Sequence, residues 1–186
     1  MRRTKLIIAG LVLILLAAAG VGAWWYISVP HTADEQFAYA EKLEKGVRTD
    51  AATQSFAELA PRFKNTVEQY SRVEGRFGQS PKAADAFLHI ARLQEEIAKD
   101  KDQAAAAYEH LRKEYDDEPH AGVALMALAR LAREKGDTAH SVADGKAAGA
   151  EYKNAIMLLT EYRTRFTTGP GAGPALMEIG RVWQDG

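Results

Sequence analysis

Five histidines, His31, His89, His110, His120 and His140, are the side chains best suited to moving a proton or holding a metal ion at neutral pH. Only His110 and His120 lie near acidic residues, the cluster Glu114, Asp116, Asp117 and Glu118. A metal site there would need a loop folded back on a helix end, and no pair has the i, i+4 spacing of a helical zinc site. The expectation is a solvated acidic turn. Gly169-Pro-Gly-Ala-Gly-Pro174 has the glycine content of a phosphate cradle. It lacks the Lys-Ser/Thr that would hold phosphate and magnesium, so a flexible turn is expected. No Gly-x-Ser-x-Gly elbow is present. The absence of cysteine excludes disulfides, thiolate ligands, a cysteine nucleophile and a lipidated N-terminal cysteine. The residue types therefore assign no catalytic residue, no metal site and no cofactor. The chain is expected not to be an enzyme and to take no small-molecule ligand.

What the spacing does encode is a repeat. Ala86–Ala91 (AFLHIA), Ala124–Ala129 (ALMALA) and Ala175–Gly180 (ALMEIG) share one pattern, recurring after 38 and then 51 residues. A second pattern keeps the same two offsets: Tyr70, Val73, Phe77 and Pro81; Tyr108, Leu111, Tyr115 and Pro119; Leu159, Tyr162, Phe166 and Pro170. Spacings of three and four place these residues on helical stripes. Ala91, Ala129 and Gly180 would let a partner helix approach, the aromatic would close each second helix, and the proline would start the next element. One helix pair cannot bury its own apolar face, so the pairs must stack. The extra 13 residues fall near 138–150 (TAHSVADGKAAGA), which reads as a small-residue insertion. Helices are predicted over about 33–47, 50–77 (kinked or divided at Pro61), 81–98, 102–115, 119–134, 147–166 and 173–183.

The N-terminus has a different character. Leu6–Ile27 carries no charge over 22 residues, enough to span a hydrocarbon core of roughly 30 Å. Leu6, Leu11 and Leu15 would face lipid, and Trp24, Trp25 and Tyr26 would lie at headgroup level. Arg2, Arg3 and Lys5 precede the span, which predicts a cytoplasmic N-terminus and a C-terminal domain outside the inner membrane. A cleaved signal peptide ending near Val21-Gly22-Ala23 is the alternative, although the apolar stretch exceeds the usual core of about 7–15 residues. Beyond the first five residues, 21 basic side chains face 25 acidic ones, a balance unsuited to nucleic acid.

The residues Ala-Leu-x-x-Leu-Ala, Gly136-Asp137 (with Lys101-Asp102 in the first repeat) and Tyr-x-x-Leu-x-x-x-Tyr resemble the tetratricopeptide repeat family, in particular its membrane-anchored bacterial envelope members. The resemblance covers about Tyr70–Trp183. It departs in the shifted proline, the insertion, and a third repeat that stops after its first helix. It implies an all-α chain: an anchor over 1–30, leading helices over 31–80, and a superhelix of antiparallel helix pairs over 81–186. It also implies protein binding. Its inner-membrane, periplasmic-facing form is similar to ancillary subunits of the protein-export translocon and to envelope scaffolds. Groove positions expected from the repeat register are Phe87, His89, Met126, Arg130, Met177 and Arg181. The expected function is a non-catalytic scaffold or accessory subunit of a membrane complex. A chaperone-like factor for exported unfolded clients, and an envelope cell-wall enzyme or its regulator, are the alternatives.

Overall fold

The computed structural model describes residues 30–185, which form seven α-helices and no strand. They are α1 (Ala33–Asp50), α2 (Phe56–Phe77), α3 (Pro81–Glu96), α4 (Lys101–Glu114), α5 (Val123–Ser141), α6 (Gly145–Arg165) and α7 (Ala172–Asp185), with a π-helical turn, Glu118–Gly122, before α5. The apolar Leu6–Ile27 segment, with Leu6, Leu11, Leu15, Trp24, Trp25 and Tyr26, lies outside the described residues. Among the described residues no helix is long and apolar enough to cross a membrane.

Local chemistry sets the helix starts. The Thr32 hydroxyl accepts from the Glu35 N–H at 3.1 Å, while the Glu35 carboxylate takes the His31 N–H at 2.8 Å. The Glu58 carboxylate takes the Ser55 N–H at 2.8 Å at the head of α2. Ser80 caps α3 with Pro81 at the first helical position, where its missing N–H has no intrahelical partner to lose. Pro61 does not divide α2, which runs unbroken from five residues before it. A proline near the first turns removes few intrahelical bonds.

The helices pair in order, α1 with α2, α3 with α4 and α5 with α6, and each pair packs on the next, with α7 against α6. The first pair, expected only to lead into the array, is thus its first layer. The predicted patterns form the seam: Tyr70, Leu111, Leu125 and Leu159 are fully buried in one continuous core, joined there by Leu93, which the patterns did not include. Ala91 and Ala129 are buried where close approach was expected. Gly180 is not: a Cβ placed there would meet open space.

The insertion is also different from its expectation. Rather than a loose loop, it lengthens two helices. Lys99 (φ 57°) and Ala143 (φ 61°) hold the left-handed conformation in equivalent turns, each followed by a capping aspartate. Asp100 accepts from the Gln103 N–H and Asp144 from the Ala147 N–H, both at 3.0 Å. Gly136-Asp137 therefore lies inside α5 and is not the turn. It serves the helix contact instead. A Cβ on Gly136 would lie 2.6 Å from Tyr152 Cε1, and the Tyr152 hydroxyl donates to Asp137 at 2.8 Å. A glycine–aspartate pair reads as a turn in isolation, and close packing against a tyrosine two residues from a helical Ala repeat was not visible in sequence.

Candidate interaction groove

Four of the six expected groove residues meet in one place. Met126 and Arg130 of α5 and Met177 and Arg181 of α7 line a groove of about 580 Å³ together with Arg133, Leu159 and Pro174. It continues through Val123 and Met126 into an apolar pocket of about 370 Å³ closed by Pro119, Tyr162, Pro170 and Gly171. The Gly169–Pro174 segment is thus a wall of this pocket. A Cβ on Gly171 would strike the Tyr162 ring and hydroxyl, so glycine is needed there for close approach.

The groove has an oily floor and a charged rim. Arg130 donates to Glu95 and, at 2.9 Å, to Glu134. Arg133 donates to Glu178 at 2.7 Å, and Arg181 to the other oxygen of Glu178 at 3.4 Å. Burial opposes the charge on Arg130, but the two glutamates outweigh it and raise its pKa. These pairs orient the guanidinium groups in advance. An incoming carboxylate would exchange for Glu178 or Glu134 rather than order a free arginine. Arg133 and Glu178 escaped the sequence reading, although Arg133 lies one turn from Arg130 on the same helix.

A family model for a tetratricopeptide repeat-like domain matches residues 2–142. The chain belongs to that family. No match was found among curated proteins, and none among solved structures. The match begins earlier than the Tyr70–Trp183 range expected from sequence and reaches back over α1, α2 and the N-terminal apolar segment. Tetratricopeptide repeat-like domains are interaction modules, so protein partners follow for this chain as well.

The other two expected positions of the repeat array are used internally. Phe87 stacks on His110 of α4, ring centroids 4.1 Å apart. His89 joins a polar knot between α1, α2 and α3. The Glu44 carboxylate receives the Tyr70 hydroxyl at 2.5 Å, stands 2.6 Å from His89 Nδ1 and takes Arg48 Nε at 2.6 Å. Arg48 reaches on to Glu96 at 2.5 Å, and Phe37 meets the Tyr70 and His89 rings edge-on. A Glu–His–Tyr cluster invites comparison with an acid/base site. Burial alone would raise the Glu44 pKa, yet His89, Tyr70 and Arg48 together lower it to about 2. Burial and the Glu44 charge push Tyr70 far upward. Both groups move away from neutral pH, opposite to what proton transfer there requires. The knot clamps three helices together.

Two of the other histidines, His110 and His120, were expected near a solvated acidic turn, but they bridge elements. His110 Nε2 lies 3.0 Å from Glu74 of α2. His120, its side chain only 12% exposed, stands 3.0 Å from Asp85 of α3 and 2.9 Å from Asp117. Burial opposes its charge, but the two aspartates prevail and raise its pKa. Among the described residues no three His, Cys, Asp or Glu side chains are arranged to hold a metal ion.

Proposed function

We propose that the chain is a non-catalytic scaffold or accessory subunit, anchored in the inner membrane by Leu6–Ile27, whose repeat array holds another protein of a membrane complex on the extracytoplasmic side. The observation that carries the interaction reading is the meeting of Met126, Arg130, Met177 and Arg181 in one groove. The anchor reading is supported by the charge pattern and by a family match that starts at residue 2, ahead of the apolar segment. The groove chemistry suits a segment that alternates apolar side chains with carboxylates.

Photocrosslinking in cells tests this. A crosslinker at Arg130 or Met177 should give discrete adducts in the membrane fraction, and one at exposed Thr164 on α6 should not. Identical adduct patterns from all three positions would remove the groove from the argument. Resistance to carbonate extraction, with α1–α7 accessible to protease only from outside the inner membrane, checks the anchor and its orientation.

A chaperone-like role is the second reading. Met126 and Met177 favour it, because flexible thioethers adapt to varied partners. It predicts weak binding to many apolar peptides on an array, whereas the scaffold reading predicts one family of sequences.

A further inference from the structure

Among the described histidines that bridge helices, only His120 has a carboxylate at each ring nitrogen. Asp85 of α3 lies 3.0 Å from Nε2, and Asp117 lies 2.9 Å from Nδ1. A neutral imidazole has one N–H, so it can serve one of these carboxylates and must turn a lone pair on the other. Only the imidazolium donates to both. The surroundings hold the ring in that place. Tyr115, which caps α4, tilts against it with ring centroids 6.0 Å apart, and Glu74 and Glu114 add negative charge around Tyr115. Lys82 of α3 takes the other oxygen of Asp85 at 3.1 Å. Helix α5 brings no titratable side chain between Val123 and Ala129. Burial opposes the charge on His120, but the two aspartates raise its pKa above the usual 6.5. Its paired bonds are therefore complete below about pH 6.5 and are lost as pH rises through that raised value. His120 also sits in the middle of the π-helical turn. Pro119 and Gly122 on either side of it wall the 370 Å³ pocket, and Val123 and Met126 are shared between that pocket and the groove.

We propose that His120 is a pH-operated latch on the groove: with both ring nitrogens protonated it fastens the Pro119–Gly122 wall to α3, and on losing a proton it lets that wall go. The proton that leaves takes one of the two carboxylate bonds with it. Asp117 has a second hold on the turn, since its side chain accepts the His120 backbone N–H at 3.2 Å and its carbonyl accepts the Ala121 N–H at 2.9 Å. Asp85 has no such second hold, so the bond to α3 is the one that gives way. The groove is then rigid in mildly acidic solution and adaptable in alkaline solution. Its relevance to docking rests on the interaction reading of the preceding section; the latch itself does not.

The test compares the full chain in detergent with its His120→Gln variant at about pH 6 and about pH 9. In urea unfolding, His120→Gln should raise the unfolding equilibrium constant about tenfold at the lower pH and leave it within about twofold of the native chain at the higher. The other His–carboxylate contacts are the same in both chains and drop out of the comparison. A second readout comes from the groove. The chain has no cysteine, so Val123→Cys accepts a single environment-sensitive fluorophore beside the turn. Its emission should shift between the two pH values, and His120→Gln should remove the shift. Asp85→Asn leaves the ring one carboxylate and should narrow both differences; it decides the matter if His120→Gln does not fold. A stability loss equal at both pH values overturns the proposal, because the ring would then only be packing. So does an emission that ignores pH, or a shift that persists in both variants. Neither readout uses a partner, so the latch and the crosslinking at Arg130 can fail separately.

Discussion

Leu125 and Leu176 occupy the same place in consecutive repeats, and the surroundings of the two differ sharply. Leu125 on α5 is fully buried in the core, whereas Leu176 on α7 is covered by no helix among the described residues and stays half in water. The same contrast runs along both helices. Ala129 on α5 is buried, and its equivalent Gly180 on α7 has open space where a Cβ would be. One packing code, written twice, therefore yields a core where a neighbour is present and an exposed apolar face where, among the described residues, it is absent. Stability in such arrays comes from interfaces between units, so a residue's worth depends on its neighbour more than on its identity.

Four measurements break or sharpen this contrast. The largest expected effect is Leu125→Ala, which should lower unfolding free energy by about 2–5 kcal/mol, while Leu176→Ala changes it by less than about 0.5 kcal/mol. Equal effects in urea unfolding would dissolve the distinction. Gly136→Val should destabilise by about 1–3 kcal/mol through overpacking on Tyr152. Gly180→Ala should go the other way, gaining about 0.5–1 kcal/mol in helix propensity on an uncovered face.

The third measurement concerns pH, at the opposite end of the molecule from α7. The Glu44 pKa falls from 4.5 to about 2 on folding. Its contribution is therefore complete above about pH 4.5 and is lost as pH drops toward 2. The expected size is about 1–2 kcal/mol, because part of the knot faces solvent and is screened. Glu44→Gln should flatten that portion of the stability–pH curve, and a curve unchanged by the substitution would show that the knot does not clamp α1–α3. The smallest expected effect is at the turn. Ala143→Gly should stabilise by up to about 1 kcal/mol, because alanine resists the left-handed conformation there.

The repeat was legible because helix pairing leaves a periodic record: bulky residues at three and four, small residues at contacts, and proline at starts. The two offsets placed the third, fourth and final helices within a few residues of their bounds. Three features left no such record. The added residues read as a loop because TAHSVADGKAAGA lacks large apolar side chains, yet alanine-rich sequence extends a helix readily when a partner is alongside. His89 was assigned to the groove by register alone, and only the fold shows Glu44 and Tyr70 arriving from two other helices. Phe87 followed the same register, but its ring found His110. Met126, Arg130, Met177 and Arg181 met because α5 and α7 repeat the same backbone position with no intervening ring to claim them.

The lengthened pair has a geometric result of its own. Helix α4 has 14 residues and α6 has 21, a difference of about 10 Å of rise. Seven residues are nearly two whole turns, so the added length returns each side chain to its original azimuth and leaves the seam in phase. The surplus emerges as a spur, tipped by Val142 at 72% exposure. Anything docked broadside against the shorter helices meets that spur as a stop, which limits how far it slides along the array.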